Sequence, residues 1–400
     1  MDDPELADIT IRSIAVGGDG VGPDADGRIV FVAGALTGER VTGRIHSSQK
    51  RHAHADLVEV LHASPDRVVP DCRFARAGCG GCGWAHVELT AQRRAKVAMV
   101  VEAVERLGGV TIRVDSGPDL PRRGFRTTVR MPVVSGRAGF HEHRSDAVVP
   151  VDECLVAHPL IDDLLAGPRA FPGVDELVIR VGARTGDRMV VADPGAGELD
   201  LPSDVLVVGA DELAKDRRAW IHERVAGVDF RISARSFFQA RPDGAEALVD
   251  AVRDAVGGER PDGPLVDLYA GVGLFSATVG AGGPVVAVES SRSAVADARS
   301  NLANRSATDA KVVGVPVERW RPSPAVAVVA DPPRAGLGRG GVAKVGATGA
   351  TRLALVSCDA GSLGRDVGLL AADGWVPEWS RLVDMFPDTP HVEVVTSFTR

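Results

Sequence analysis

Five cysteines divide this chain into two kinds of chemistry. Cys72, Cys79 and Cys82 crowd into Asp71-Cys72-x6-Cys79-Gly80-Gly81-Cys82. Cys154 follows alone in Asp152-Glu153-Cys154, and Cys358 stands far away in Ser357-Cys358-Asp359. Four thiolates suit one closed zinc site or one iron–sulfur cluster, and the spacing does not choose between them. Clustered cysteines in a large chain with no secretory signal favour metal or catalysis over disulfides. The fifth thiol is then left for chemistry.

The elements that must position these residues fall into three stretches, as expected for 400 residues. Short strands with glycine turns (Ile9–Ile11, Arg28–Val32, Glu39–Ile45, Asp56–Val60) predict a small OB-type barrel over residues 1–63. Residues 64–235 hold the cysteine cluster, a helix over Thr90–Leu107 with Val97, Val100, Val101 and Val104 on one face, and a sheet-rich middle region. From 236 to 400, strands alternate with helices, one of them expected over Ser293–Asn304. That alternation predicts an α/β, doubly wound, Rossmann-like sheet.

In such sheets ligands bind at the carboxyl ends of the strands. Asp267-x-x-x-Gly271-x-Gly273 lies at one such end, where glycines let a backbone approach a ligand. Glu289 ends the next strand and can take a ribose diol. Ser276 occupies the place of a third glycine, which favours S-adenosyl-L-methionine over NAD. A tight turn with a chance acidic residue fits the same residues. Asp331-Pro332-Pro333-Arg334 forms a rigid turn at a second strand end. Cys358 ends a third. There it suits a nucleophile, although composition alone reads it as a buried structural cysteine.

Taken together, these motifs, with Asp384-Met385-Phe386-Pro387-Asp388-Thr389-Pro390-His391-Val392-Glu393 closing the chain, resemble the RNA (uracil-5-)-methyltransferase family over essentially the full length. The segment with Gly17-Gly18-Asp19-Gly20, Phe31-Val32-Ala33-Gly34 and Gly38-Glu39-Arg40-Val41 is similar to an RNA-binding TRAM domain. The resemblance implies S-adenosyl-L-methionine-dependent methylation of uridine C5, with 23S rRNA the first expected substrate and tRNA the second. It makes Cys358 the thiolate that adds to C6 and Glu393 the base that removes the C5 proton. Gln239, Tyr269, Gly271, Gly273, Glu289 and Asp331 become cofactor contacts. It favours a [4Fe–4S] cluster on Cys72, Cys79, Cys82 and Cys154. The chain departs from the family pattern at Asp359-Ala360, where Asn-Pro is usual, and at Leu274, where Asn is usual. No polar cofactor contact is assignable in Pro316-Val317-Glu318. A non-catalytic iron–sulfur RNA-binding protein is the rival reading.

The net charge of −8 speaks against general nucleic-acid binding, but charge is unevenly spread. Arg40, Arg44, Lys50 and Arg51 form one basic run. Arg122, Arg123, Arg126 and Arg130 form a second, between the cysteines, and are expected to meet RNA; solvated loops would read the same. No segment reaches the ~18 apolar residues of a membrane span. A cytoplasmic protein is expected, with no membrane and no obligate protein partner.

Overall fold

The computed structural model describes residues 5–166, 170–197, 199–258, 262–303 and 309–400. The expected helix end at Asn304 and the first four residues lie outside them.

The N-terminal strands form one curled six-stranded sheet. In spatial order they are Leu6–Thr10, Arg40–Ser48, His52–His62, Ile29–Ala33, Gly20–Pro23 and Ser13–Ile14. Alternation along them buries Ile9, Val30, Val32, Val41, Ala53 and Ala55 in a small core of their own. The strand over 40–48 runs further than the sequence predicted. A hairpin pairs it with His52–His62, and bulges in the ladder absorb the offset.

The middle region is a second six-stranded sheet built on Thr128–Val134, Glu176–Val181 and Arg188–Asp193. One face carries Val129, Met131, Leu177 and Ile179 into its own core. The stretch before it behaves differently from expectation. Helix Leu89–Ala103 packs on helix Ala360–Ala372, and strand Val114–Ser116 adds to the edge of the C-terminal sheet. The buried face keeps Val100 and Val104 of the expected stripe but is rotated to take in Gln92, Lys96, Met99 and Ala103, leaving Val97 and Val101 half-buried. The rotation has a cause. Lys96 Nζ donates to Asp384 Oδ1 (2.6 Å) and to the Phe386 carbonyl (2.9 Å), and its side chain is fully buried. Removing one partner of such a pair costs roughly 3–5 kcal/mol.

The C-terminal sheet has eight strands in the spatial order Ala310–Gly314, Val285–Glu289, Leu265–Leu268, Ala327–Ala330, Arg352–Ser357, Val394–Thr399, Val376–Leu382, Val114–Ser116. The first five are parallel and read as continuous apolar runs because helices cover both faces. Strand order reverses between Leu265–Leu268 and Ala327–Ala330, the switch point where such sheets open a crevice. Val394–Thr399 alone runs antiparallel to both its neighbours. Among the described residues no helix is long and apolar enough to cross a membrane.

Candidate active site

The antiparallel strand brings the two reactive candidates together. Ser357 pairs with Val394 at the carboxyl edge of the sheet. The next residue of one strand is Cys358, and the residue before the other is Glu393, so both face the crevice at the same level. One cavity of about 740 Å³ is lined by Cys358 and Glu393 together with Gln239, Tyr269, Gly271, Glu289 and Asp331. They come from stretches far apart in the sequence, Tyr269 and Gly271 alone sharing one motif. Gly273 does not line it; with φ of 92° it starts the helix Leu274–Thr278 that closes the turn. Tyr269 also takes a left-handed backbone (φ 61°), strain of the kind held at functional sites.

The electrostatics favour neutral groups in the free protein. Burial, then the charges of Glu393 and Asp331, pushes the Cys358 thiol up to about 11. Burial and Asp331 raise the Glu393 carboxyl well above its ordinary range. Burial, with Asp267 nearby, pushes Asp331 up to about 7. Arg334 opposes two of these shifts, lowering both Cys358 and Glu393. It lines the same cavity and has no carboxylate partner among the described residues. The sequence motif contained Arg334 without revealing this role. Since the thiolate fraction grows with pH below the pKa, iodoacetamide alkylation of Cys358 is expected to quicken about tenfold per pH unit from pH 7 to 10. Peptide mass spectrometry reads it, and a plateau by pH 8 would contradict the shift.

On the cofactor side, Glu289 Oε2 accepts from Gly271 N (2.9 Å), and Oε1 accepts from Ser290 N and Ser291 N (both 2.7 Å). Ser276, in place of a third glycine, donates from N (2.9 Å) and Oγ (2.6 Å) to Asp267 Oδ2. Asp267 therefore braces the turn; burial pushes its carboxyl up to about 7 against those bonds. Leu274 packs into the core, while Asn301 Nδ2 from another helix donates to the Val272 carbonyl (2.9 Å). Asp359 caps helix Ala360–Ala372, its Oδ1 accepting from Ser362 N (2.7 Å), so the Asp359-Ala360 departure keeps a helix start behind Cys358. Pro316, Val317 and Glu318 line the cavity.

Cys72, Cys79, Cys82 and Cys154 line a second cavity, of about 330 Å³. All four thiols are free of disulfides. Burial pushes up the thiols of Cys79, Cys82 and Cys154. Converged ligation is not seen: among the described residues no group of three or more His, Cys, Asp or Glu is arranged to hold a metal ion. Two short turns, Arg73–Arg76 and Gly80–Cys82, carry the first three thiols along one side, and the turn before helix Pro159–Leu165 carries Cys154.

Two of the four expected RNA arginines are engaged inside the protein. Arg122 donates from Nε (2.9 Å) and Nη2 (2.7 Å) to Asp388, and Arg123 Nη1 donates to the same carboxylate (3.0 Å), which is 1% exposed. Gln92 completes the clasp, donating to Asp388 Oδ1 (3.0 Å) and accepting from Asp388 N (2.7 Å). Asp388 and His391 wall the cysteine cavity, and Glu393, on the same loop, walls the catalytic one. Arg130 pairs with Glu176, while Arg126 Nε donates only to the Thr128 carbonyl (3.2 Å). On the N-terminal sheet, Arg40, Arg44, Lys50 and Arg51 are exposed, without ion pairs among the described residues. Beside them the Phe31 ring stacks on His54 at 5.0 Å.

No protein-family model matches the chain. It is 35% identical over 422 residues to a protein of Streptomyces avermitilis named as an uncharacterized RNA methyltransferase, covering 98% of this chain and 97% of that one. The chain belongs to the RNA methyltransferase family. A second RNA methyltransferase, from Streptomyces coelicolor, is also 35% identical and spans 98% of this chain and 92% of its own. Among solved structures, the tRNA (uracil-54, C5)-methyltransferase of Pyrococcus abyssi, crystallised with S-adenosyl-L-homocysteine, superposes with a TM-score of 0.71. The match covers 98% of this chain and all of that one at 23% identity. It shows that this RNA methyltransferase shares the whole-chain fold, N-terminal sheet included.

Proposed function

We propose that this RNA methyltransferase methylates C5 of a uridine in structured RNA, using S-adenosyl-L-methionine, through a covalent bond from Cys358 to C6. The observation that carries the reading is the placement of Cys358 and Glu393, side by side across a pair of strands, in the cavity that Gly271 and Glu289 also line. C5 of uracil is too weak a nucleophile to be methylated directly. The Cys358 thiolate adds to C6 and leaves C5 as an enolate carbon. When bound, S-adenosyl-L-methionine supplies a methyl group on a positively charged sulfur. Glu289 is placed for its ribose, Gln239, Tyr269 and Glu318 for its remaining polar groups. Once C5 is methylated, the Glu393 carboxylate takes the C5 proton as the C6–S bond breaks and the thiolate departs; Glu393 gives that proton up to water before the next turnover. Arg334 is the cation that acts on the two groups that must ionise.

Cys358 lies inside a crevice, so the target base must be splayed out of the RNA. The exposed cations around Arg44 and Arg51, with the Phe31–His54 stack, support the TRAM-like sheet as an RNA surface. Arg126 is the arginine of the central group best placed to meet backbone phosphate. 23S rRNA is the first substrate to test and tRNA the second. The test is transfer of labelled methyl to each RNA, with the digested nucleoside identified as 5-methyluridine. A product at another atom or base would overturn the reading.

The same proposal places a [4Fe–4S] cluster on Cys72, Cys79, Cys82 and Cys154. Three cysteines of one segment and Cys154, more than 70 residues further on, share one cavity, and Arg126, which has no ion pair among the described residues, lines it too. Protein purified without oxygen is expected to be brown, with about four irons and four sulfides per chain. Cys82→Ser should lose both colour and iron. Stoichiometric zinc with no iron would contradict the assignment.

A further inference from the structure

A third cavity, of about 500 Å³, opens beside the catalytic one and shares Arg235 and Phe237 with it. Its floor is the outer face of the central sheet. Cross-strand register places Thr128 opposite Arg180, and Arg130 opposite Val178. Arg180 lies in this cavity wall and is only 9% exposed. Its Nη1 donates to the carbonyls of Ser236 (2.7 Å) and Ser233 (3.0 Å), and its buried Nε has no partner. No carboxylate pairs with it among the described residues. Glu176 and Asp193 line the cavity, but Glu176 is engaged by Arg130. Burial pulls the Arg180 guanidinium down to about 10, with only Asp297 supporting its charge. An arginine held this way is a buried cation with an unused donor, which proteins retain at a free-energy cost. Arg235, exposed on the rim shared with the catalytic cavity, has no ion pair among the described residues either.

We propose that this cavity binds an RNA phosphate next to the methylated uridine, with Arg180 and Arg235 as its cations. The inference rests on the proposed splaying of a uridine into the neighbouring cavity. A phosphate in the cavity sets its negative charge beside the Arg180 guanidinium, which no carboxylate pairs with among the described residues, and a guanidinium suits phosphate geometry. A backbone contact here fixes the register of the strand without reading its bases.

The test compares wild-type and variant full-length protein, all in a Cys358→Ala background so that no covalent step contributes. Binding of labelled oligouridylate and oligoadenylate is followed against salt. Arg180→Met and Arg235→Gln are each expected to weaken binding of both RNAs about tenfold and to flatten the log K against log salt slope by about one. Arg180→Met removes a buried unpaired charge but also its bonds to the Ser233 and Ser236 carbonyls, so the Tm of the RNA-free protein is measured alongside to establish folding. Arg235→Gln keeps the test alive if Arg180→Met fails to fold. Unchanged slopes overturn the proposal and leave Arg180 as a clasp for the Ser233–Ser236 turn. So does protection by inorganic phosphate, lost in Arg180→Met, without any change in RNA binding. A preference for oligouridylate is read separately and bears only on the uridine reading.

Discussion

The Glu393→Gln variant is expected to accumulate RNA covalently attached to Cys358, carrying one new methyl group. Glutamine fills the same volume but cannot accept the C5 proton, so addition and methylation proceed while release slows by roughly 10²–10⁴-fold. The complex should survive denaturation and appear as a protein band shifted by the mass of the RNA. A second consequence follows from the charge. Glu393 is, after burial, the largest cause of the raised Cys358 thiol, so removing it should move the alkylation profile of Cys358 to lower pH. Wild-type turnover with no trapped complex would mean that the base lies elsewhere, and Asp331, on the same cavity, becomes the candidate.

Cys358→Ala is expected to lower methyl transfer by about 10⁴-fold or more while leaving RNA affinity within a few-fold of wild type. Cys358→Ser should behave the same way, because a serine hydroxyl at a site that already disfavours a thiolate ionises far less. Steady-state methylation and an equilibrium binding curve on the same preparation separate the two effects. Residual activity within tenfold of wild type in either variant would exclude the thiolate route. Loss of RNA binding instead would make Cys358 part of the binding surface.

Much of this site was legible because its parts are local. Each strand-end motif, the Gly271 turn, Glu289, Asp331 and Cys358, is set by an adjacent strand and helix, and parallel strands present their carboxyl ends to one side. The opposition of Cys358 and Glu393 was not legible from pattern alone. It depends on one antiparallel strand inserted beside Arg352–Ser357, and register across such a pair is a tertiary fact. Charge partners were hidden for the same reason. Arg122 and Arg123 look like free cations beside the cysteines, yet their carboxylate, Asp388, is more than 260 residues away in the chain. Lys96 and Gln92 read as the polar side of a helix and are instead buried, because they hold the loop that ends in Glu393. Arg180 falls in an alternating strand, where nothing local marks it as buried. The departure at Asp359 makes a hydrogen bond that the helix start needs, and Ser276, in the place of a third glycine, makes one that braces the turn.

The central claim is a covalent Cys358–uridine intermediate, and RNA carrying 5-fluorouridine tests it most directly. Fluorine at C5 cannot leave as a proton does, so Glu393 has nothing to remove and the adduct persists. Wild-type protein incubated with that RNA and S-adenosyl-L-methionine should give a denaturation-resistant complex. Its mass should be that of protein, RNA and one methyl group, with the modified peptide containing Cys358. The absence of any complex from wild type, or an identical complex from Cys358→Ala, would contradict the account.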